Sequence, residues 1–180
     1  YYDIDNQQLK IAIYNGSAWE ISTVDDQAPV GMHSSLAIDT LDRKNIAYYD
    51  AGIGALKYAG WLNNQPLDIA FETIDQEGNV GTYGSLNMDN RERLSVSYYD
   101  SDKQLLKYAY HYHDVWYNEI ADSTVNTGQF SSLAIMPGDS IRISYYDVTR
   151  GDLKLTARPR FLLDPDFYVS DLVTCSGSSI

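Results

Sequence analysis

Hydrophobic and polar residues alternate with a period of two along most of the chain, which is typical of β-strands whose two faces differ. In the segment 94–99, Leu94, Val96 and Tyr98 share one face, and two serines and a tyrosine share the other. Segments rich in Gly, Pro, Asn and Asp separate such runs. No stretch shows a convincing helical period, so the pattern predicts an all-β protein.

The stretch from residue 35 to residue 74 indicates how these strands are grouped. It holds four short runs of alternating residues, which are separated by segments that favour turns. The four predicted strands are Ser35–Asp39, Asn45–Tyr49, Ala55–Trp61 and Asp68–Ile74.

The chain repeats itself. The tripeptide Tyr-Tyr-Asp begins at Tyr1, Tyr48, Tyr98 and Tyr145, at spacings of 47, 50 and 47 residues. A Leu-Lys pair begins six residues after each of its aspartates. A second series of aspartates is followed by Gly after six residues and by Ser after ten. The repeated residues are Asp3, Asp50, Asp100 and Asp147, then Lys10, Lys57, Lys107 and Lys154, and then Asp25, Asp75 and Asp122.

Four strands in a repeat of 47–50 residues predict a β-propeller, in which each repeat forms one four-stranded antiparallel blade. We expect a single domain over residues 1–180, with about 3.75 blades and part of a fifth-blade strand at 178–180. In one interpretation, Ser178–Ile180 pairs beside Tyr1–Asp3 and closes a four-bladed ring. In the other, the chain is part of a propeller of about six to eight blades, whose open edges favour pairing with another chain.

Composition narrows the possible partners. The chain has 13 Lys and Arg against 25 Asp and Glu, a net charge of −12, which argues against nucleic acid and anionic membranes. No apolar run approaches the roughly 18 residues of a membrane span, and we expect no signal peptide in the residues given. A single cysteine, Cys175, excludes an internal disulfide framework. No phosphate-binding loop, zinc-protease motif or nucleophile elbow is present, so we expect neither a cofactor nor an enzyme.

The repeated motifs resemble a known group of proteins. The order Ser-Ser-Leu-Ala-Ile-Asp, Ile-Ala-Tyr-Tyr-Asp and Leu-Lys-Tyr-Ala, followed by a Trp and Val-Asp, resembles tandem β-propeller repeats of secreted and surface bacterial or archaeal proteins. These repeats are similar to the sialidase-like (BNR-type) propeller superfamily. The resemblance implies an extracellular or cell-surface location and partner binding. The sialidase Asp-box, Ser-x-Asp-x-Gly-x-Thr-Trp, is absent, so no catalytic residue is carried over.

Four aromatic or imidazole side chains are candidates for ligand binding. His33, Tyr83 and Phe130 hold the same position in three repeats, in what we predict to be the loop before the first strand. Their variety fits either a variable binding surface or a packing position that accepts any ring. Trp61 belongs to no repeated column and is predicted to be an exposed contact residue. By contrast, Trp19 and Trp116 recur at one position and are predicted to lie in blade cores.

The remaining polar motifs have structural and functional interpretations. His111 and His113 would share one face of a strand with Asp114 nearby, which makes them a weak candidate metal site. The repeated Tyr-Tyr-Asp aspartates are expected to accept hydrogen bonds in the turns that follow them. The repeated tyrosines are expected to pack between blades. The repeated lysines could pair with these aspartates between blades, but we expect them to extend into solvent.

Three functional hypotheses follow. The leading one is a non-enzymatic β-propeller repeat module for extracellular binding or self-assembly, whose partner is another copy of itself, the remainder of a larger propeller, or a protein ligand. The second is a lectin-like module that binds glycans through aromatic faces. The third is a fragment of a propeller hydrolase or lyase.

Overall fold

A computed structural model describes residues 1–63, 65, 68–137 and 140–158, and these residues form antiparallel β-strands without a helix. The predicted all-β class is therefore confirmed. Accordingly, no membrane-spanning helix occurs in these ranges. The residues considered for ring closure, Ser178–Ile180, and the single cysteine, Cys175, lie outside the described part of the chain.

The strands form four sheets in chain order, and consecutive strands are neighbours within each sheet. Sheet 1 contains β1 (Tyr2–Asp3), β2 (Gln8–Tyr14) and β3 (Trp19–Asp25). Sheet 2 contains β4 (Val30–Ile38), β5 (Lys44–Asp50), β6 (Ala55–Trp61) and β7 (Ile69–Asp75). Sheet 3 contains β8 (Val80–Met88), β9 (Leu94–Asp100), β10 (Leu105–Tyr112) and β11 (Val115–Asp122). Sheet 4 contains β12 (Thr127–Ile135), β13 (Ile141–Asp147) and β14 (Asp152–Arg158).

The strand boundaries predicted for residues 35–74 match the structure except at the first strand. In sheet 2, the last three predicted strands agree with β5, β6 and β7 to within one residue. However, β4 begins at Val30, five residues before the predicted start. The segment that we predicted to be a loop is therefore part of a strand, and the prediction was wrong because β-bulges let an irregular segment stay paired.

Each sheet packs against the next through a leucine and a glycine. Leu9, Leu56 and Leu106 are fully buried, and each contacts a glycine in the first strand of the following sheet. A Cβ at Gly81 would lie 2.8 Å from Leu56 Cβ, and the backbone there has φ 110°. Only glycine readily adopts this backbone conformation and also leaves room for the leucine, which explains why Gly recurs at this position.

A cluster of three polar side chains accompanies each leucine–glycine contact. The last residue of one sheet is an aspartate that accepts hydrogen bonds from a tyrosine and a lysine of the next sheet. Tyr98 Oη donates to Asp75 Oδ2 at 2.7 Å, and Lys107 Nζ binds the same oxygen. We call this cluster the Asp–Tyr–Lys joint. Its three described copies are Asp25–Tyr48–Lys57, Asp75–Tyr98–Lys107 and Asp122–Tyr145–Lys154.

Several residues of the joints have shifted pKa values. Burial disfavours the charged form of Asp122, but hydrogen bonds from Lys154 and Tyr145 outweigh it and lower the pKa of this carboxyl. Asp25 behaves in the same way, because bonds from Tyr48 and Gln27 and the charge of Lys57 lower its pKa despite burial. Burial and the adjacent carboxylate raise the pKa of the tyrosine in each joint. The joints of Asp25 and Asp122 therefore favour a carboxylate beside a neutral phenol.

The repeated lysines do not extend into solvent, so that prediction was wrong. Lys107 is only 4% exposed, because sheet 2 covers the face of β10 from which it projects. The main partner of Lys57 is Asp25 of the preceding sheet at 3.3 Å, with Asp50 of its own sheet at 3.6 Å. The alternative, pairing between blades with the Tyr-Tyr-Asp aspartates, was also wrong: the partner from the preceding sheet belongs to the second aspartate series, and the Tyr-Tyr-Asp aspartate that the lysine contacts lies in its own sheet.

The Tyr-Tyr-Asp repeat has the expected architectural role. The first tyrosine is buried between sheets in Tyr48, Tyr98 and Tyr145. The aspartate accepts backbone hydrogen bonds in the following turn, as Asp50 does from the amides of Gly52 and Ile53. Both predictions for this repeat, the packing of the tyrosines between sheets and the hydrogen bonds of the aspartates in the turns, are therefore confirmed.

The joint predicts a large cost for removing its cation. Lys107→Met should lower the free energy of unfolding by about 3–5 kcal/mol, because Asp75 is left as a buried charge without a cation, with only the Tyr98 phenol and the Glu77 amide as donors. Chemical denaturation followed by circular dichroism measures this change. Arg91→Met removes the same charge from an exposed turn and should cost less than about 0.5 kcal/mol. Equal costs for the two variants would show that the joint adds no stability.

Candidate functional site

Three of the predicted binding residues occupy the β-bulges of the first strands. His33, Tyr83 and Phe130 have φ of 53°, 55° and 53°, in the left-handed region that bulky side chains rarely adopt. Such a conformation costs roughly 1–3 kcal/mol at each position. The pairing register of each strand shifts once before the residue and again across it, so that the side chain leaves the regular alternation.

The three rings form a continuous row across sheets 2, 3 and 4. The ring centroids of His33 and Tyr83 are 4.8 Å apart, and those of Tyr83 and Phe130 are 4.5 Å apart. Tyr83 is half-buried between its neighbours, whereas His33 is exposed and Phe130 is 65% exposed. We call these three side chains the aromatic row. The structure thus brings together residues that are about 50 positions apart in the sequence.

A second layer of rings supports the aromatic row. In the three Tyr-Tyr-Asp motifs that begin at Tyr48, Tyr98 and Tyr145, the second tyrosine points to the face opposite the joint and meets one member of the row edge-on. Sequence analysis missed this role, although strict alternation places the two tyrosines of each pair on opposite faces. The ring pairs are His33–Tyr49 at 6.4 Å, Tyr83–Tyr99 at 6.1 Å and Phe130–Tyr146 at 6.5 Å.

Serine hydroxyls next to the bulges fix the spacing of the row. Ser35 Oγ accepts a hydrogen bond from the Leu86 amide at 2.9 Å, and Ser85 Oγ accepts one from the Leu133 amide at 3.0 Å. In addition, Ser131 Oγ donates to the carbonyl oxygen of Tyr83 at 2.8 Å. These bonds link the first strands of neighbouring sheets, which explains the repeated Ser two residues after the bulge.

The surroundings of His33 favour its neutral form. Tyr49 and Tyr83 cover part of the otherwise exposed imidazole, and this partial burial lowers its pKa from the ordinary value of 6.5. The row therefore offers aromatic faces and edges with neutral polar tips. Such a surface suits stacking, hydrogen bonding and apolar contact rather than proton transfer by a charged group.

Two of the three tryptophans do not lie where the sequence indicated. Trp61 is 7% exposed and packs in the core between sheets 1 and 2 with Ile11 and Val24, so it is not an exposed contact residue. Trp116 is half-buried against Tyr58, as expected of a core position. Trp19 was predicted to be core but is 67% exposed, because no preceding sheet covers sheet 1 in the described part of the chain.

The histidine pair of sheet 3 does not form a metal centre. β10 ends at Tyr112, so His113 falls in the turn and stacks on the Tyr112 ring at 3.9 Å. His111 instead faces Glu72 of sheet 2, with 3.9 Å between Nε2 and Oε2. Within the described ranges, no three His, Cys, Asp or Glu side chains converge as metal ligands. His111 and Asp114 line a cleft of about 300 Å³ between sheets 2 and 3.

Comparisons with known proteins add no family to this description: no protein-family model matches the chain, and no curated protein matches it. The resemblance to propeller repeats therefore stays a prediction that rests on the repeated motifs.

The environment of His33 predicts a shifted titration. Its imidazole signals in NMR spectra should titrate with a midpoint below 6.5, because burial disfavours the imidazolium. In Tyr83→Ala, water should reach the ring and the midpoint should move up towards 6.5. The signals are assigned by their loss in His33→Gln. A wild-type midpoint at or above 6.5 would show that the ring is not held in the row.

Proposed function

We propose that this chain is a non-enzymatic β-propeller repeat module that binds a protein partner through the aromatic row. In this proposal, each sheet is a blade and the row lies along the inner strands of three consecutive blades. We assign the module to the cell surface or the extracellular space, where tandem repeats of the kind that the motifs resemble are found.

The aromatic row is the observation that supports this function. Its residues lie in the left-handed region in three consecutive sheets. Strain of this kind persists where the surrounding structure imposes it, and it is concentrated at binding and catalytic sites. The fold needs the neighbouring Gly81 for packing, but it does not need a ring on its surface at Phe130. Exposed aromatic side chains dominate the energetics of protein interfaces.

The same row supports one alternative function, a lectin-like module. Sugar rings stack on aromatic faces, and the adjacent tyrosine hydroxyls would serve as donors and acceptors. This alternative requires the ring faces rather than their edges to reach the ligand. The mutual tilt of the rings, 51° between Tyr83 and Phe130, leaves edges as well as faces exposed and so favours a less regular protein surface.

The experiment selects peptides from a random phage-displayed library on the wild-type protein and, in parallel, probes a glycan array. The double variant Tyr83→Ala/Phe130→Ala should lose at least about tenfold in affinity for selected peptides, or about 1.4 kcal/mol. Phe71→Ala removes a comparably exposed ring from β7 and should leave binding unchanged. Circular dichroism confirms that all variants are folded.

Two results would contradict the proposal. Peptides that bind the double variant as tightly as the wild type would place the contact surface elsewhere. Row-dependent binding to the glycan array without selected peptides would establish the lectin-like alternative instead.

A further inference from the structure

The cleft between sheets 2 and 3 is lined by a tyrosine and a glutamate whose equivalents in sheet 3 bind an arginine of sheet 4. We propose that this cleft binds the arginine side chain of a partner protein. The cleft contains no residue of the aromatic row, so the inference goes beyond the proposed function and does not depend on it.

The interface between sheets 3 and 4 shows how a guanidinium group is held. Arg158 Nη2 donates to Glu119 Oε2 at 2.9 Å, and Arg158 Cζ lies 5.3 Å from the centroid of the Tyr108 ring. Tyr108 and Glu119 are direct neighbours across β10 and β11, so their side chains share one face of sheet 3. The Tyr108 hydroxyl is fixed by a hydrogen bond with Ser95 at 2.9 Å. A carboxylate beside a tyrosine ring thus binds the guanidinium through charge and through a cation–π contact.

Sheet 2 has the same pair of side chains without the arginine. Tyr58 and Glu72 are neighbours across β6 and β7, and Tyr58 Oη donates to Asn45 Oδ1 at 2.6 Å. The residue of sheet 3 at the position of Arg158 is His111, because each follows the Leu of its Leu-Lys pair by five residues. His111 Nε2 is buried without a hydrogen-bond partner among the described residues, and it lies 3.9 Å from Glu72 Oε2. The histidine therefore does not replace the guanidinium.

The cleft has room for one further side chain. Its volume is about 300 Å³, and it reaches Tyr58, Glu72 and His111. Ligand pockets in proteins have volumes of roughly 300–1,000 Å³. Trp116 contacts Tyr58 and donates to Glu72 Oε2 at 2.9 Å, but both of these residues still border the cleft. The carboxylate can accept further hydrogen bonds, because each of its oxygens has two lone pairs.

The charges around the cleft favour a cation. The lining residues in the described part of the chain include four carboxylates, and Arg43 is the one Lys or Arg among them. Arg43 Nε donates to Asp39 Oδ2 at 2.5 Å, and Arg43 Nη2 lies 3.7 Å from Glu92 Oε2. Two of the carboxylates therefore match the charge of Arg43, and those of Glu72 and Asp114 remain for a cation from outside.

The same carboxylates distinguish an arginine within a protein from free arginine. Free arginine carries its own carboxylate, which the four acidic groups repel. An arginine within a chain has neutral amides at that place, and arginine is enriched at protein interfaces. The side chain of a protein is therefore the occupant that the cleft favours.

NMR titration with N-acetyl-argininamide tests the proposal. The indole N–H signal of Trp61, which lines the cleft, should shift in a saturable manner, whereas the signal of Trp19 in sheet 1 should not move. N-acetyl-citrullinamide has nearly the same shape without the charge, and it should bind at least about tenfold more weakly. Free L-arginine should also bind more weakly than the capped form.

Two variants change the cleft in defined ways. Glu72→Gln removes the charge but keeps an acceptor for Trp116, and it should bind the probe at least about tenfold more weakly. His111→Arg places a guanidinium at the position that Arg158 has in sheet 4, so the new side chain should occupy the cleft and abolish binding. Glu77→Gln removes the same charge from an exposed loop and should bind as the wild type does. Circular dichroism confirms that all variants are folded.

Three results would overturn the proposal. A Trp61 signal that does not respond to N-acetyl-argininamide would show that the cleft does not take a guanidinium group. Wild-type affinity in Glu72→Gln or His111→Arg would place the binding elsewhere. Tighter binding of free arginine would exclude a protein side chain as the favoured occupant. Peptide binding to the aromatic row is measured with Tyr83→Ala/Phe130→Ala, so the two proposals fail separately.

Discussion

A buried carboxylate shared by two donors of the next sheet is the interaction on which the rest of this structure depends. Asp75 lies between Tyr98 and Lys107, where water is almost completely excluded. A buried charge of this kind is stable only when its partners are in place, so the joint tolerates one relative position of the two sheets. The leucine–glycine contact beside it fixes the distance between the sheets, and the joint fixes their register.

The position of the aromatic row follows from this register. Once neighbouring sheets are fixed by their joints, the serine bonds between first strands hold the bulges side by side, with ring centroids 4.8 Å and 4.5 Å apart. The two tyrosines of these pairs have different roles: the first is part of the joint, and the second packs against the aromatic row. A single repeated dipeptide therefore connects the stability of the sheet array to the geometry of its candidate binding surface.

Much of this fold could be predicted from the sequence, because the signals are local. Alternation predicted the strands, and the repeated aspartates predicted the turns. The joint could not be predicted in the same way, since its members are 23 and 32 residues apart and belong to different sheets. Their identical offsets in three repeats were visible, but offsets alone do not show which faces meet. The lysines were therefore assigned to solvent, although Lys107 is buried.

The tryptophans illustrate a second limit. By strand register, Trp61 and His111 occupy equivalent positions in sheets 2 and 3. The two residues differ in chemistry and share only the direction of their side chains, towards the preceding sheet. The lack of a repeated residue type at this position therefore did not indicate that Trp61 is exposed. Trp19 and Trp116 share both type and column, yet differ in burial because only one has a preceding sheet. Burial in a repeat array depends on neighbours that the residue's own repeat does not encode.

The most direct test of the joint is a spectrophotometric titration of the tyrosines, with circular dichroism recorded on the same samples. Tyr48, Tyr98 and Tyr145 have raised pKa values, so the folded state favours the neutral phenol and loses stability as the pH rises above 10. We predict that part of the tyrosinate absorbance of the 16 tyrosines appears only in a cooperative step that coincides with unfolding. Ionisation of all 16 near pH 10 with an unchanged circular dichroism spectrum would contradict the account.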